Sequence, residues 1–307
     1  MSYQEEKRDH NPERPSKPLA AFTIIVPSYN ERDSIGQVIE SLLTCLKESA
    51  PYELIVVDDG STDGSAEIAG RLAQRYPHVQ VITHPYNRGY GAALKTGIRR
   101  MSTDLVVITD ADSTYPNECI PALLEIAQEA DMVVGCRDIS RVPYPLGRRV
   151  VKYLLTQYAA WIAGQPIPDI NSGLRVIRRT VVEKFLNILP DGFSFTTTIT
   201  LAMMTNQYDV RYVPISYAAR VGRSKIKPIR DTLNFIQLIL RTGMYFAPMR
   251  LFFPAAVCLG LVCMGSFVYD VFILRDLTDK TLLLLLFTMN TGMFALLADM
   301  LDKRSTK

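Results

Sequence analysis

The stretch Leu105-Val106-Val107-Ile108-Thr109-Asp110-Ala111-Asp112 places two acids directly behind a short apolar run. The apolar residues predict a buried strand, and the acids then lie at its carboxyl end. Two carboxylates one residue apart are costly to bury unless a cation compensates their charge. Because Mg²⁺ and Mn²⁺ take oxygen ligands and also bind phosphate oxygens, the stretch favours a metal and diphosphate site over a structural acid pair.

Similar apolar runs on both sides of this stretch predict the fold. We predict strands at residues 22–26, 54–57, 79–83, 105–109 and 132–134. Amphipathic segments such as residues 35–46 and 66–75 lie between these runs and predict helices. Strands that alternate with helices indicate an α/β fold with a mostly parallel, doubly wound sheet, in which ligands bind beyond the carboxyl ends of the strands.

Residues suited to binding a nucleoside follow the first two predicted strands. Pro27, Tyr29 and Glu31 follow the first strand, and Asp58 and Asp59 follow the second. An aromatic ring can stack on a nucleobase, and carboxylates can accept hydrogen bonds from a base or a ribose. Each segment alone is also typical of an ordinary turn, so the interpretation depends on their meeting at one edge of the sheet.

A glycine-containing run, Asn87-Arg88-Gly89-Tyr90-Gly91, leads into a predicted helix. Glycines allow a ligand to approach the backbone closely, and a helix N-terminus favours phosphate. The run matches neither the G-x-G-x-x-G pattern nor a Walker A loop. Dehydrogenase and P-loop interpretations therefore lose their main support.

Composition limits the remaining classes of protein. Hydrophobic residues make up 48% of the 307 residues, and the net charge of +3 gives no support to nucleic-acid binding. Five cysteines at irregular spacings argue against a disulfide framework or a zinc site and favour a reducing, cytosolic environment. Residues 1–20 are rich in charge and proline and lack the apolar core of a signal peptide, so we expect a disordered tail.

The last quarter of the chain contains two long apolar segments. Residues 251–274 contain a single charged residue, Asp270, near the end of the segment, and residues 281–298 contain no charged residue. Each segment is long enough to cross a bilayer core of about 30 Å, which predicts a transmembrane hairpin with spans near residues 251–274 and 281–301. The alternative is a buried helix pair in a soluble domain. Lysines and arginines flank both sides, so the positive-inside rule places the large domain and both termini in the cytoplasm.

An amphipathic segment precedes the hairpin at residues 228–249. Apolar residues recur there at helical spacing, and Arg230 and Arg241 lie on another face. We expect a juxtamembrane helix at the membrane interface, although a helix packed on the soluble domain would show the same pattern.

Three more motifs complete a set of six whose order resembles glycosyltransferase family 2, a family with a GT-A nucleotide-sugar-binding domain. They are Asp169-Ile170-Asn171-Ser172-Gly173-Leu174-Arg175, Gly192-Phe193-Ser194-Phe195-Thr196-Thr197 and Arg220-Val221-Gly222-Arg223-Ser224-Lys225. They are similar to D-x-x-S-G-x-R, G-F-S-F and R-x-G-x-S-K segments of the dolichol-phosphate mannose synthase and polyprenyl-phosphate glycosyltransferase branch. The resemblance covers residues 22–246.

Two features depart from related patterns. Thr114 stands where the mannose synthases usually carry a metal-binding glutamine. The Q-x-x-R-W motif of processive polysaccharide synthases is absent, and the single tryptophan is Trp161.

The resemblance implies a metal-dependent enzyme that moves a hexose-type sugar, with inversion, from a UDP- or GDP-sugar to an undecaprenyl or dolichyl phosphate. The implied domains are a tail at 1–20, a GT-A domain at 21–227, the juxtamembrane helix at 228–249 and the hairpin at 250–307. The implied partners are the nucleotide sugar, the polyprenyl phosphate and the membrane, and a homotetramer is compatible with the branch. Two alternatives stay open: transfer to a lipid or protein hydroxyl, and a non-catalytic nucleotide-sugar-binding subunit.

The resemblance also assigns roles to residues. Metal binding falls to Asp110, Asp112 and Thr114, with Mg²⁺ or Mn²⁺ as the ion, and catalysis to Asp110, Asp112 and Arg137. Nucleotide-sugar binding falls to Pro27, Tyr29, Glu31, Asp58, Asp59, Asp110, Ala111 and Asp112. Lipid-phosphate binding falls to Arg148, Arg149, Ser172, Arg175, Arg220 and Lys225. For the basic residues, the alternative is a solvated helix face or a contact with anionic lipid headgroups.

Overall fold

A computed structural model describes residues 19–47, 49, 51–137, 156–192, 194–216, 237, 240–241, 243–245 and 247–305. The predicted tail lies almost wholly outside these residues. Most of the predicted juxtamembrane helix lies outside them too, although the described residues 240–241 and 243–245 are helical.

A seven-stranded sheet in the order β3-β2-β1-β4-β6-β5-β7 forms the centre of the large domain. Its strands are β1 (Phe22–Ser28), β2 (Tyr52–Asp58), β3 (Val79–Thr83), β4 (Leu105–Ile108), β5 (Met132–Arg137), β6 (Arg175–Arg178) and β7 (Val210–Ile215). The five strands predicted from apolar runs are confirmed in place. The sheet is mostly parallel, because β6 alone runs antiparallel, between β4 and β5.

Helices cover both faces of this sheet. They are α1 (Ile35–Cys45), α2 (Ser65–Arg75), α3 (Tyr90–Arg100), α4 (Ile120–Ala127), α5 (Arg179–Phe185) and α6 (Phe195–Thr205); residues 156–163 are also helical. Alternate residues of each central strand point to opposite faces, so Ile24 joins the core under α1, α2 and α4, whereas Ile25 joins the core under α3, α5 and α6. This two-sided burial explains why the strands read as continuous apolar runs.

Two long helices follow the domain and form an antiparallel hairpin. Helix α7 spans Pro248–Tyr269 and continues into a π-helical turn at Asp270–Leu274, and α8 spans Asp279–Ser305. Both are long and apolar enough to cross a membrane, and most of their side chains face away from the protein. This exposure argues against the alternative of a buried helix pair.

The one acid of the first span lies inside the hairpin. Asp270 is fully buried, and its Oδ2 accepts hydrogen bonds from the Thr278 backbone and hydroxyl and from the Thr281 hydroxyl. The carboxylate thus joins the end of the first helix to the start of the second.

Candidate active site

The carboxyl ends of β1, β2 and β4 meet at one edge of the sheet, as the sequence predicts. Ser28 pairs with Asp58 in the parallel β1–β2 ladder, and Ile25 pairs with Ile108 on the other side. The residues that follow each strand therefore come together there, with Tyr29 and the Asp110–Asp112 pair on neighbouring strand ends. Pro27 is itself the last residue but one of β1 and is buried.

The side suited to a nucleoside combines an exposed ring with a buried acid. Tyr29 is 37% exposed, so part of this aromatic residue faces solvent at the edge. Asp58 is 1% exposed; its Oδ2 accepts the Ser61 backbone N–H at 3.1 Å, whereas its Oδ1 has no hydrogen-bond partner among the described residues. An unsatisfied buried carboxylate oxygen costs free energy that an N–H donor of a ligand would recover. Glu31 is half-buried beside them.

Asp59, the second acid after β2, holds a neighbouring loop in place. Its carboxylate is buried and accepts hydrogen bonds from His84 Nδ1 at 2.7 Å and from the backbone N–H groups of Arg88 and Gly89 at 2.9 and 2.7 Å. The two backbone bonds fix the loop that leads into α3. That Asp59 also binds the nucleotide sugar stays a prediction.

The glycines of that loop pack against protein. A Cβ atom at Gly91 would lie 2.1 Å from the Pro190 carbonyl oxygen, and one at Gly89 would lie 2.5 Å from the Asp191 carbonyl oxygen. Asp191 also accepts the Ala92 backbone N–H at the start of α3. The close approach that these glycines permit is therefore made by the segment 190–191.

The acid pair lies half-buried beyond β4, next to the buried Ala111. Asp110 Oδ1 accepts a hydrogen bond from the Tyr90 hydroxyl at 3.1 Å. Desolvation and the negative charge of Asp110 raise the pKa of Tyr90, so its hydroxyl stays protonated and donates. Asp112 Oδ1 accepts the Thr114 backbone N–H at 3.2 Å and its hydroxyl at 2.6 Å.

Two carboxylates with this placement fit a hard divalent cation, since such ions complete their coordination with phosphate and water oxygens. No group of three or more acids, histidines or cysteines lies close enough for a metal within the part of the chain that the structure describes. Thr114 is 1% exposed and donates its hydroxyl proton to Asp112, a contact that orients this carboxylate. Its role as a third metal ligand stays a prediction.

Arg137, the last residue of β5, is held by Asp169, the first residue of the D-x-x-S-G-x-R motif, to which the sequence alone assigned no role. Its Nε and one terminal nitrogen donate to the two oxygens of Asp169 at 2.7 and 2.9 Å. Burial alone would raise the pKa of the Asp169 carboxyl, but its hydrogen bonds and charge pairing with Arg137 hold that pKa below the ordinary value. The paired Arg137 side chain is 20% exposed, so part of it stays accessible.

Ser172 and Arg175, predicted to bind lipid phosphate, are both fully buried. The Ser172 hydroxyl donates to the Gly135 carbonyl, and the Arg175 guanidinium donates to the Ser172 and Thr196 carbonyls and to the Thr200 hydroxyl. Their polar atoms are used inside the protein, and lipid-phosphate binding by either residue stays a prediction. Burial also lowers the pKa of Arg175. The other predicted lipid-phosphate residues, Arg148, Arg149, Arg220 and Lys225, lie outside the described residues.

Fold and site together define a GT-A-type nucleotide-sugar-binding domain that carries an apolar helical hairpin. Comparisons with known proteins agree. The family model "Glycosyl transferase family 2" matches residues 23–186, and the model "GtrB C-terminal hairpin" matches residues 247–303. The chain belongs to glycosyl transferase family 2.

Several curated relatives carry names that specify a lipid acceptor. The undecaprenyl-phosphate 4-deoxy-4-formamido-L-arabinose transferase of Photorhabdus laumondii is 31% identical over 243 residues, covering 76% of this chain and 70% of the relative. The same-named transferase of Serratia proteamaculans is 33% identical over 56% of this chain, which spans about half, 53%, of that relative. The low-salt glycan biosynthesis hexosyltransferase Agl6 of Haloferax volcanii is 28% identical, over 71% of this chain and 53% of the relative.

Solved structures share the fold at low identity. Glucosyl-3-phosphoglycerate synthase from Mycobacterium tuberculosis, in complex with UDP, has a TM-score of 0.57 and 20% identity, covering 75% of this chain and 86% of that one. Mannosyl-3-phosphoglycerate synthase from Rubrobacter xylanophilus has a TM-score of 0.56 and 18% identity, over 73% of each chain. These likenesses establish the shared GT-A fold.

Proposed function

We propose that the protein transfers a hexose-type sugar, with inversion, from a UDP- or GDP-sugar to a polyprenyl phosphate at the cytoplasmic face of a membrane. The observation that carries this proposal is the Asp110–Asp112 pair at the nucleotide edge of a family 2 domain that continues into an apolar hairpin. The curated relatives support the acceptor, since two of those described above are named as undecaprenyl-phosphate transferases.

The donor would bind along the strand ends. Tyr29 offers a stacking surface, and the unsatisfied Oδ1 of Asp58 offers an acceptor for a base N–H. Pro27, Glu31 and Ala111 complete this edge. Whether the base is uracil or guanine stays open, because both present an N–H donor to a carboxylate.

Asp110 and Asp112 would hold Mg²⁺ or Mn²⁺. A related GT-A structure, the Mycobacterium tuberculosis synthase, was solved with Mn²⁺ and UDP, which supports a divalent ion. Such an ion offsets the charge of a diphosphate leaving group. The chain's own part is to orient the two carboxylates, through Tyr90 for Asp110 and Thr114 for Asp112.

The proposed acceptor needs little or no general base from the protein. A phosphate monoester is already anionic at neutral pH, so its oxygen can attack the anomeric carbon without prior proton removal. Catalysis then depends on holding the two substrates in line and on fixed positive charge. Arg137, fixed by Asp169, is the described guanidinium that we assign to a phosphate or sugar at this site. Arg148, Arg149, Arg220 and Lys225 remain proposed contacts for the lipid phosphate.

The proposed arrangement keeps the catalytic domain, residues 21–227, against the membrane surface. A polyprenyl tail stays in the bilayer, so its phosphate is reached at the interface, where the helix at 228–249 and the hairpin at 250–307 would hold the open edge of the sheet. Both termini would be cytoplasmic. A tetramer remains a prediction that the mass of the detergent-solubilised protein would check.

A comparison of acceptors tests this proposal. Purified protein in detergent, with Mn²⁺ and a panel of labelled UDP- and GDP-sugars, would be offered a short polyprenyl phosphate, the matching dephosphorylated polyprenol or a diacylglycerol. The proposal predicts label in the organic phase with the phosphate alone. Label on the polyprenol or the diacylglycerol would instead support the hydroxyl-acceptor alternative, and donor binding without any transfer would support the non-catalytic one.

A further inference from the structure

The Asp110 carboxylate is confined from two sides. On one side the Tyr90 hydroxyl donates to Oδ1 at 3.1 Å. On the other side lies Gly173, whose missing side chain leaves room for the carboxylate. A Cβ atom at Gly173 would lie 2.6 Å from Asp110 Oδ2 and 2.9 Å from both Cγ and Oδ1, and these three are its nearest atoms. Any side chain at position 173 would therefore displace Asp110.

Gly173 is itself fixed by buried hydrogen bonds. Its backbone N–H donates to the Tyr115 hydroxyl at 2.7 Å. The preceding residue, Ser172, donates its hydroxyl to the Gly135 carbonyl at 2.6 Å and accepts the Arg175 Nε at 3.0 Å. Arg175 then reaches α6 through the Thr196 carbonyl at 3.1 Å. The segment Ser172–Arg175 is thus held next to Asp110 by buried hydrogen bonds.

We propose that Gly173 and Tyr90 are positioning residues that set the orientation of Asp110 for the divalent cation, and that the buried segment Ser172–Arg175 serves this purpose. The inference rests on the metal site of the proposed function. It gives the buried S-G-x-R sequence a role at the metal.

The expected effect follows from how groups around a ligand govern metal affinity. Residues that orient a ligating side chain typically change metal affinity by about 10–100-fold when they are replaced. Gly173→Ala adds one methyl group against Asp110, and the structure gives no positive φ at this glycine that would strain the backbone. Tyr90→Phe removes the hydroxyl and keeps the ring. Both variants should keep the fold and lose metal affinity.

The test is a titration of the full-length protein in detergent with Mn²⁺ alone, in which electron paramagnetic resonance reports unbound Mn²⁺. Gly173→Ala and Tyr90→Phe would be compared with Asp112→Asn and with Gly70→Ala. Gly70 lies in α2, and a Cβ atom there would meet nothing within 4 Å. Thermal unfolding of each variant would show whether the fold is kept.

We expect Gly173→Ala to weaken Mn²⁺ binding by about 10–100-fold, with Tyr90→Phe at the lower end and Gly70→Ala unchanged. If Asp112→Asn loses Mn²⁺ while Gly173→Ala and Tyr90→Phe bind it as the wild type does, the inference is overturned and the proposed function stands. If Gly173→Ala fails to fold, the Mn²⁺ affinity of Tyr90→Phe alone tests the inference. Wild-type Mn²⁺ affinity in Asp112→Asn would overturn the metal site and this inference together.

Discussion

Replacing Arg137 with lysine keeps the positive charge but removes the planar fork that binds both oxygens of Asp169. The fork makes two hydrogen bonds, at 2.7 and 2.9 Å, to a carboxylate whose side chain is 2% exposed. Lysine can satisfy at most one of the two oxygens in that direction. The loss of one charge-assisted bond in a largely buried pair corresponds to about 2 kcal/mol.

If the pair orients Arg137 toward the reacting groups, losing this bond raises the activation free energy of the reaction by a similar amount. About 2 kcal/mol corresponds to a roughly 30-fold loss of kcat/KM. Asp169→Asn leaves one acceptor oxygen and removes the charge, so we expect a similar loss. The assay is the initial rate of label transfer into the organic phase at low substrate concentration.

The double variant decides whether the two residues act together. Two side chains that act through one contact should lose together little more than either loses alone. If their effects were independent, the double variant would lose about 900-fold, the product of the two single losses. A multiplied loss of that size would refute the assignment of Asp169 as the residue that positions Arg137.

Two further predictions concern the buried charges. Arg175→Met should reduce the free energy of unfolding by about 2–4 kcal/mol, because the Ser172 carbonyl loses its guanidinium donors while the cost of burying a charge is relieved; an unchanged urea midpoint would contradict this. The pKa of Asp169 is lowered on folding, so the stability it contributes is complete above the ordinary value of ~3.9 and is lost as pH falls through the lower folded value. The melting temperatures of wild type and Asp169→Asn should therefore differ most at neutral pH and converge as pH falls below the ordinary pKa of ~3.9, and a constant difference would count against the pairing.

The parts of the fold that sequence predicts well are those encoded locally. The run from Leu105 to Ile108 is apolar on both faces of the sheet, and the turn that follows carries its polar residues in order. The same holds for β1 and β2, so the meeting of Tyr29, Asp58 and Asp110 at one edge follows from strand direction alone. The antiparallel insertion of β6 could not be predicted this way, since its position depends on pairing with strands 40 or more residues away in the chain.

The internal contacts of several predicted site residues could not be predicted from the local sequence. Arg175 and Ser172 stand in a motif with a basic residue, and nothing in the local sequence shows that α6 closes over them. Asp59 is adjacent to Asp58, yet consecutive residues at a strand end point in opposite directions, and His84 is hydrogen-bonded to Asp59 rather than to Asp58. The alternation of side-chain directions could have been predicted from the sequence. The contact between Gly173 and Asp110 is a tertiary contact that no local sequence pattern indicates.

The measurement that tests the central claim most directly is sugar transfer to polyprenyl phosphate by Asp112→Asn beside Asp104→Asn. Asp104 is an exposed acid just before β4, so it controls for a lost charge near the same strand. With Mn²⁺ and the donor that labels wild-type product, the account predicts that Asp112→Asn loses transfer by about 100-fold or more while Asp104→Asn keeps it. Equal transfer by both variants would contradict the claim that the acid pair beyond β4 is the catalytic metal site.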